Sequence, residues 1–251
     1  MDLKSGSYKL DKNTPVPLYY QLKKLLIDEI NNKRLKVGDS IPTEAEFSEH
    51  LNISRPTIRQ ALSELVSEGY LQRLKGKGTF VSRPKIDERF FQHLQSFNNE
   101  MLQKGLNPST KVLDLKVIKG IAGICEKLNV DVEEELVYLR RVRYADEEPV
   151  VYLETYLPYR YCKDIVKEDF VQNSLYSVLE EEYNIKIFKV VRMIEAVNAD
   201  DQVAKLLHIK KNQALCLVKT TAYTEDDIPA EYSIARYRGD RNQFSVELYR
   251  G

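Results

Sequence analysis

The order of three helix-forming segments and one glycine-rich hairpin over residues 17–81 is what most constrains the fold of this chain. Leu18, Leu22, Leu25, Leu26 and Ile30 recur at helical spacing, with Lys23, Lys24 and Asp28 between them. LKVGDSIP then breaks the helix with a glycine and a proline. Thr43-Glu44-Ala45-Glu46 has the form of a capping box: Thr43 can take the backbone amide of Glu46 while Glu46 reaches back. Ala45, Phe47 and Leu51 offer this short helix a core face, and Asn52, which tolerates turn geometry, ends it. Ser54 caps a third helix whose first turn holds Pro56, where a missing amide does no harm. Its apolar stripe is Ile58, Ala61, Leu62, Leu65 and Val66, and Gly69 stops it. Residues 70–74 and 79–81 flank Lys75-Gly76-Lys77-Gly78 and predict a β-hairpin with a basic tip.

The polar side of the third helix carries Arg55, Thr57, Arg59, Gln60 and Ser63. Taken singly, a capping box, two arginines on a helix and a KGKG turn are ordinary surface features. In this order they form a helix-turn-helix with a wing. Its recognition helix enters the major groove by its N-terminal end, with donors for phosphates and base edges. The hairpin glycines let the backbone approach a narrow groove, and the lysines attract phosphate. Charge is distributed to match. The whole chain is neutral, but residues 1–85 hold 15 basic against 10 acidic side chains, leaving 23 against 28 in the rest. The expected division is a loose tail over 1–14, a winged helix-turn-helix over 15–82, a charged linker over 83–94 and a second domain over 95–251.

The string PLYYQLKKLLIDEI, then VGDSIPTEAEFSEHLNISRPTIRQALSELVSEGYLQRLKGKGTFV, closely resembles the winged helix of the GntR family of bacterial repressors. The resemblance implies that Arg55, Thr57 and Arg59 contact an operator and that Gly76, Lys77, Gly78 and Thr79 form the wing that enters the minor groove. It also implies that Thr43 and Glu44 lie where the preceding helix meets the DNA backbone. With Ser54, Gln60 and Lys75 these are the candidate DNA-binding residues.

The remainder reads as an α+β domain. Strand-like runs fall at 112–118, 136–145, 149–157, 188–197, 214–223, 229–237 and 244–249, with helical stretches near 120–128, 174–183 and 200–208. Polar turns such as Asp146-Glu147-Glu148 join them, so the sheet is expected to be antiparallel. Strand alternation places Val137, Leu139, Arg141 and Arg143 on one face, and an apolar face that turns doubly cationic needs anions, because an unpaired buried charge is costly. Those anions are either internal carboxylates or a ligand. Ser174 opens the helix SLYSVLEEEY, and a capped helix N-terminus suits an anion. Tyr176 adds a hydroxyl in the same turn. Glu231 and Tyr237 share a face of PAEYSIARY, and Glu231 either meets ligand hydroxyls or pairs with Arg141 or Arg143.

RRVRYADEEPVVYLETYLP, SLYSVLEEEY and PAEYSIARYRGDRNQF resemble the UTRA effector-sensing domain, which marks the HutC branch of the GntR family. That resemblance implies a chorismate-lyase-like fold with a six-stranded antiparallel sheet. It also implies an effector site made of Arg141, Arg143, Ser174, Tyr176, Glu231 and Tyr237, the arginines, Ser174 and Tyr176 taking a phosphate or another anion. Many members carry a ligand-contacting glutamate where this chain has Leu153, and Glu154 comes one residue later. A one-residue shift turns a strand side chain to the other face, so Glu154 enters the site only if a bulge restores it.

Other functions find little support. Cys125, Cys162 and Cys216 are scattered and odd in number, which indicates neither a disulfide framework nor a zinc site; His50, His93 and His208 are equally dispersed. There is no nucleophile–base pair, metal motif or phosphate-cradling loop, and no catalytic residue, metal or cofactor is expected. No run approaches the roughly 18 apolar residues of a membrane span, and the first residues lack the apolar stretch of a secretory signal, so the expected location is cytoplasmic. The expected partners are double-stranded DNA with a palindromic operator, a second copy of the chain in a homodimer, and a small anionic effector, a phosphorylated sugar or a carboxylate.

Overall fold

The computed structural model describes residues 10–88 and 96–247. It divides into two compact units, residues 1–85 and 86–251.

The first unit is a winged helix. Helix α1 (Leu18–Asn31) packs against α3 (Arg55–Ser67), and α2 (Glu44–Leu51) lies between them in sequence. Leu22, Leu26 and Ile30 of α1, Phe47 of α2, and Ile58, Ala61, Leu62 and Leu65 of α3 make one core. Leu25 and Val66 sit at its margin. Ala45 departs from expectation: it is exposed, because Phe47 alone of α2 reaches full burial. The capping box at Thr43 forms as read, and Ser54 caps α3. Strands β1 (Leu71–Leu74) and β2 (Gly78–Val81) pair antiparallel, with Leu71 opposite Val81. The turn between them uses glycine for its backbone: Gly76 and Gly78 have φ of 74° and 115°, a region that costs other residues strain.

The second unit begins with β3 (Ile86–Glu88), followed by α4 (Phe97–Gln103), β4 (Pro108–Lys119), α5 (Ala122–Leu128), β5 (Glu135–Ala145), β6 (Glu148–Pro158), α6 (Leu175–Tyr183), β7 (Lys189–Asn198), α7 (Asp201–Leu206), β8 (Ala214–Tyr223), β9 (Pro229–Arg238) and β10 (Asn242–Phe244). Six strands form one antiparallel sheet in the order β4-β5-β6-β9-β8-β7, as the UTRA resemblance implies. The β5–β6 hairpin turns on Asp146 and Glu147, both at positive φ, the backbone a two-residue hairpin needs to match strand twist.

Two expectations change here. Residues 86–88, read as part of a linker, are a strand whose Ile86 is buried and which pairs in parallel with β10. The last strand-like run, 244–249, does not join the large sheet. Its described part contributes only Phe244 to β10, and residues 248–249 lie outside the described residues.

Candidate functional site

The cap residues of the first unit are occupied by their own helices. Thr43 Oγ1 accepts from the Glu46 amide at 3.3 Å, and Glu46 Oε2 accepts from the Thr43 amide at 2.7 Å. Ser54 Oγ lies 2.7 Å from Thr57 Oγ1. Between α2 and α3, Arg59 Nη2 donates to Glu44 Oε2 at 2.8 Å. That hydrogen bond holds the Glu44 carboxyl below its ordinary range, assisted by the charges of Arg59, Arg73 and Arg55. Three arginines therefore surround one carboxylate. Arg73, which donates to Ser63 Oγ at 3.1 Å, is a member the sequence reading missed. Gln60 Nε2 donates to Glu64 Oε1 at 3.2 Å. Arg55, Lys75 and Lys77 are exposed and enter no ion pair among the described residues. Gly76 and Gly78 at the hairpin tip are exposed, and Thr79 is half-buried.

The second unit holds a cleft with about 860 Å³ of atom-free space, counting the open solvent at its mouth. Arg141, Arg143, Ser174, Tyr176, Glu231 and Tyr237 all line it. Strand alternation on β5 brings the two arginines to the same face, and Ser174 caps α6 there, accepting from the Ser177 amide at 3.1 Å. Arg141 is 2% exposed and lies 6.0 Å from the Phe170 ring; Arg143 lies 5.0 Å from the Phe97 ring. The Nε atoms of both are shut off from solvent without a hydrogen-bond partner, and neither arginine enters an ion pair among the described residues. Burial, then the charge of Arg143, pushes the Arg141 guanidinium down to about 9, still cationic at neutral pH. Burial also lowers Arg143.

Glu231 lies near enough for its charge to act on both arginines but makes no ion pair with either. Its Oε2 accepts from the Tyr176 hydroxyl at 2.7 Å, and it forms no ion pair among the described residues. Burial raises its carboxyl, with the Tyr176 hydrogen bond and the Arg141 charge opposing. Burial and the neighbouring Glu231 keep the Tyr176 hydroxyl protonated. The Tyr237 hydroxyl is raised by burial and by the nearby Glu88.

Glu154 is a correction. Tyr138 Oη donates to its Oε1 at 2.6 Å and Arg236 Nη1 to its Oε2 at 2.7 Å, on the face opposite the cleft, while Leu153 lines the cleft. The register explains this. Leu153 pairs with Arg141 and Glu154 with Arg140, and the β5–β6 irregularity falls beyond them, between Arg143 and Tyr144, so no bulge restores Glu154.

The cleft also contains residues missing from the sequence reading. Arg192 on β7 adds a third guanidinium, lowered by burial. Its signal was partly legible: an arginine flanked by apolar residues in the strand-like run FKVVRMIEAV. Glu88, Phe97 and Glu100 also line the cleft and come from β3 and α4, where local pattern gives no hint of a cavity.

A winged helix with a cationic recognition helix and hairpin tip, followed in the same chain by a sheet domain with a charged cleft, defines a ligand-responsive DNA-binding regulator. Residues 18–81 match the family model of bacterial regulatory proteins, gntR family, and residues 103–243 match the UTRA domain. The chain belongs to the GntR family of bacterial regulators, in the group that carries a UTRA domain. Among its relatives is the HTH-type transcriptional repressor NagR of Bacillus subtilis (strain 168), 34% identical over 94% of this chain and 96% of that protein. MngR, the mannosyl-D-glycerate transport/metabolism system repressor of Escherichia coli (strain K12), is 27% identical over 93% of this chain and 94% of its own length. The crystal structure of PhnF from Mycobacterium smegmatis matches with a TM-score of 0.76 at 26% identity, over 92% of this chain and 98% of that one. The family and these relatives are transcriptional regulators, not enzymes; GntR-type regulators bind DNA and UTRA domains sense small molecules. The chain is thus a transcriptional repressor of GntR/UTRA type. Among the described residues no helix is long and apolar enough to cross a membrane.

Proposed function

We propose that the chain represses transcription as a homodimer on a palindromic operator and that a small anionic effector, a phosphorylated sugar, releases it. The observation that carries this reading is the pair Arg141 and Arg143. Both line one cleft, their Nε atoms are shut off from water without a hydrogen-bond partner, and neither enters an ion pair among the described residues. An uncompensated buried charge costs several kcal/mol, and a dianionic phosphate meets that need with bidentate acceptors. Ser174, Tyr176 and the amides at the start of α6 supply further donors to the phosphate, and Glu231 and Tyr237 face the sugar. Effector binding then favours a conformation in which the two heads no longer match operator spacing, a population shift limited by the difference in affinity between the two states.

On the DNA side, Arg55, Thr57 and Arg59 read the major groove and Lys75 to Thr79 track the backbone and minor groove. Arg59 reaches a base by exchanging its Glu44 partner for DNA. A two-fold protein suits a palindrome because each half-site meets an identical recognition helix.

A carboxylate-bearing sugar is the second reading, favoured by the relative MngR, whose name ties it to mannosyl-D-glycerate. Thermal-shift screening of the full chain with sugar phosphates and sugar acids separates the two. Stabilisation by sugar phosphates supports the first reading and stabilisation by sugar acids alone the second. A chain that responds to neither class contradicts both.

A further inference from the structure

Opposite in sign to the arginines, the cleft carries a second group of charges. Glu88, the last residue of β3, is 1% exposed and lines the cavity, and its Oε1 has no hydrogen-bond partner. Glu100 of α4 lines the same cavity, 3% exposed, and takes Lys104 Nζ at 2.5 Å. The nearby lysine is thus committed to Glu100, and Glu88 enters no ion pair among the described residues. A buried acceptor left empty is costly and calls for an explanation. Glu88 lines a cleft with room for a ligand, which offers one.

We infer that Glu88 and Glu100 form an acidic subsite of the effector cleft, in which Glu88 accepts a hydrogen bond from an O–H or N–H donor on the non-phosphate end of the ligand. The inference rests on the anionic-effector reading and extends it: the ligand is bipolar, an anion at one end and a hydrogen-bond donor at the other. Bare phosphate satisfies only half of such a site. The state of the empty cleft agrees with this. Burial, then the neighbouring Glu100, pushes the Glu88 carboxyl up to about 8, so an approaching hydroxyl or ammonium meets a group that lacks the partner its charged form needs. Nothing in the charged stretch RPKIDERFFQH marked Glu88 as a cleft residue; the parallel pairing of β3 with β10 puts it there.

The full-length chain and its Glu88→Gln and Glu88→Ala variants would be titrated calorimetrically with inorganic phosphate, glucose 6-phosphate and glucosamine 6-phosphate. The expected result is a loss of about tenfold or more in affinity for at least one sugar phosphate, with phosphate binding unchanged, because the Glu88 carboxyl is largely protonated at neutral pH and bare phosphate occupies the arginine end of the cleft. A general loss of folding weakens all three ligands, so a loss confined to the sugar phosphates identifies direct contact. A larger loss for glucosamine 6-phosphate identifies an ammonium donor, and equal losses identify a hydroxyl; both support the inference. Variants that bind all three as wild type does overturn it while leaving the anion site standing. A wild-type chain that binds none of the three overturns the anion reading and this inference together.

Discussion

The two units of this repressor use arginine in opposite ways. On the first, Arg55, Arg59, Lys75 and Lys77 are exposed, and Arg59 already holds Glu44. Water and a neighbouring carboxylate keep these charges at little cost until a polyanion arrives. On the second, Arg141 is buried, Arg143 is half-buried with its Nε shut off from water, and neither enters an ion pair among the described residues. Exposed cations favour any anion, and chiefly one with many charges. Buried cations accept only an anion that fits the cleft and replaces the lost water. Under the proposed function, the same side chain supplies electrostatic attraction in one unit and selectivity in the other.

Salt gives the largest separation between them. Between 50 and 200 mM salt, operator affinity should fall by about 10³-fold or more, because counterions released from DNA compete with exposed cations. Effector affinity should fall by less than roughly threefold, since buried charges are poorly screened. Equal salt sensitivity in fluorescence anisotropy and calorimetry would erase the contrast. Next in size, Arg143→Ala should cost at least about thirtyfold in sugar-phosphate affinity, as truncation of a buried charged partner does, with operator affinity intact. The companion substitution Arg141→Met should leave the ligand-free melting temperature unchanged or higher, because it removes an uncompensated buried charge. A marked fall would mean that Arg141 has a structural partner. Arg59→Ala should weaken operator binding by roughly tenfold and relax preference at one base pair; unchanged sequence preference would assign Arg59 to phosphate or to Glu44 alone.

How much of this was legible beforehand depended on how local the determinant is. The Thr43–Glu46 box, the Ser54 cap and the α3 stripe are set within a few residues, and the string itself displays them. Arg141 and Arg143 were legible because period-two alternation fixes which face a strand residue takes. Glu154 shows the limit of that logic: the sequence identified the shift, but only the register decided that no bulge corrects it. Glu88 reaches the cleft through a pairing remote in sequence, β3 with β10, which no local pattern encodes. Ala45 failed for another reason. On an eight-residue helix one aromatic residue fills the available core, and the small residue two positions earlier stays outside.

Two smaller effects sharpen the local readings. Thr43→Ala should lower the stability of the first unit by about 1 kcal/mol, the usual worth of such a cap, seen as a lower denaturant midpoint; no change would mean that the Thr43 hydroxyl is redundant. Glu154→Gln should leave effector affinity unchanged, because its partners Tyr138 and Arg236 lie on the far face of the sheet. A loss confined to effector binding would return Glu154 to the site.

The most direct measurement is anisotropy of labelled DNA from upstream of the gene, bound by wild type and by Arg143→Ala, during titration with sugar phosphates at fixed ionic strength. Wild type should release the DNA as ligand is added, while the variant holds it with the same initial affinity. Release that proceeds equally in both would contradict the claim that buried, unpaired guanidinium groups form the switch.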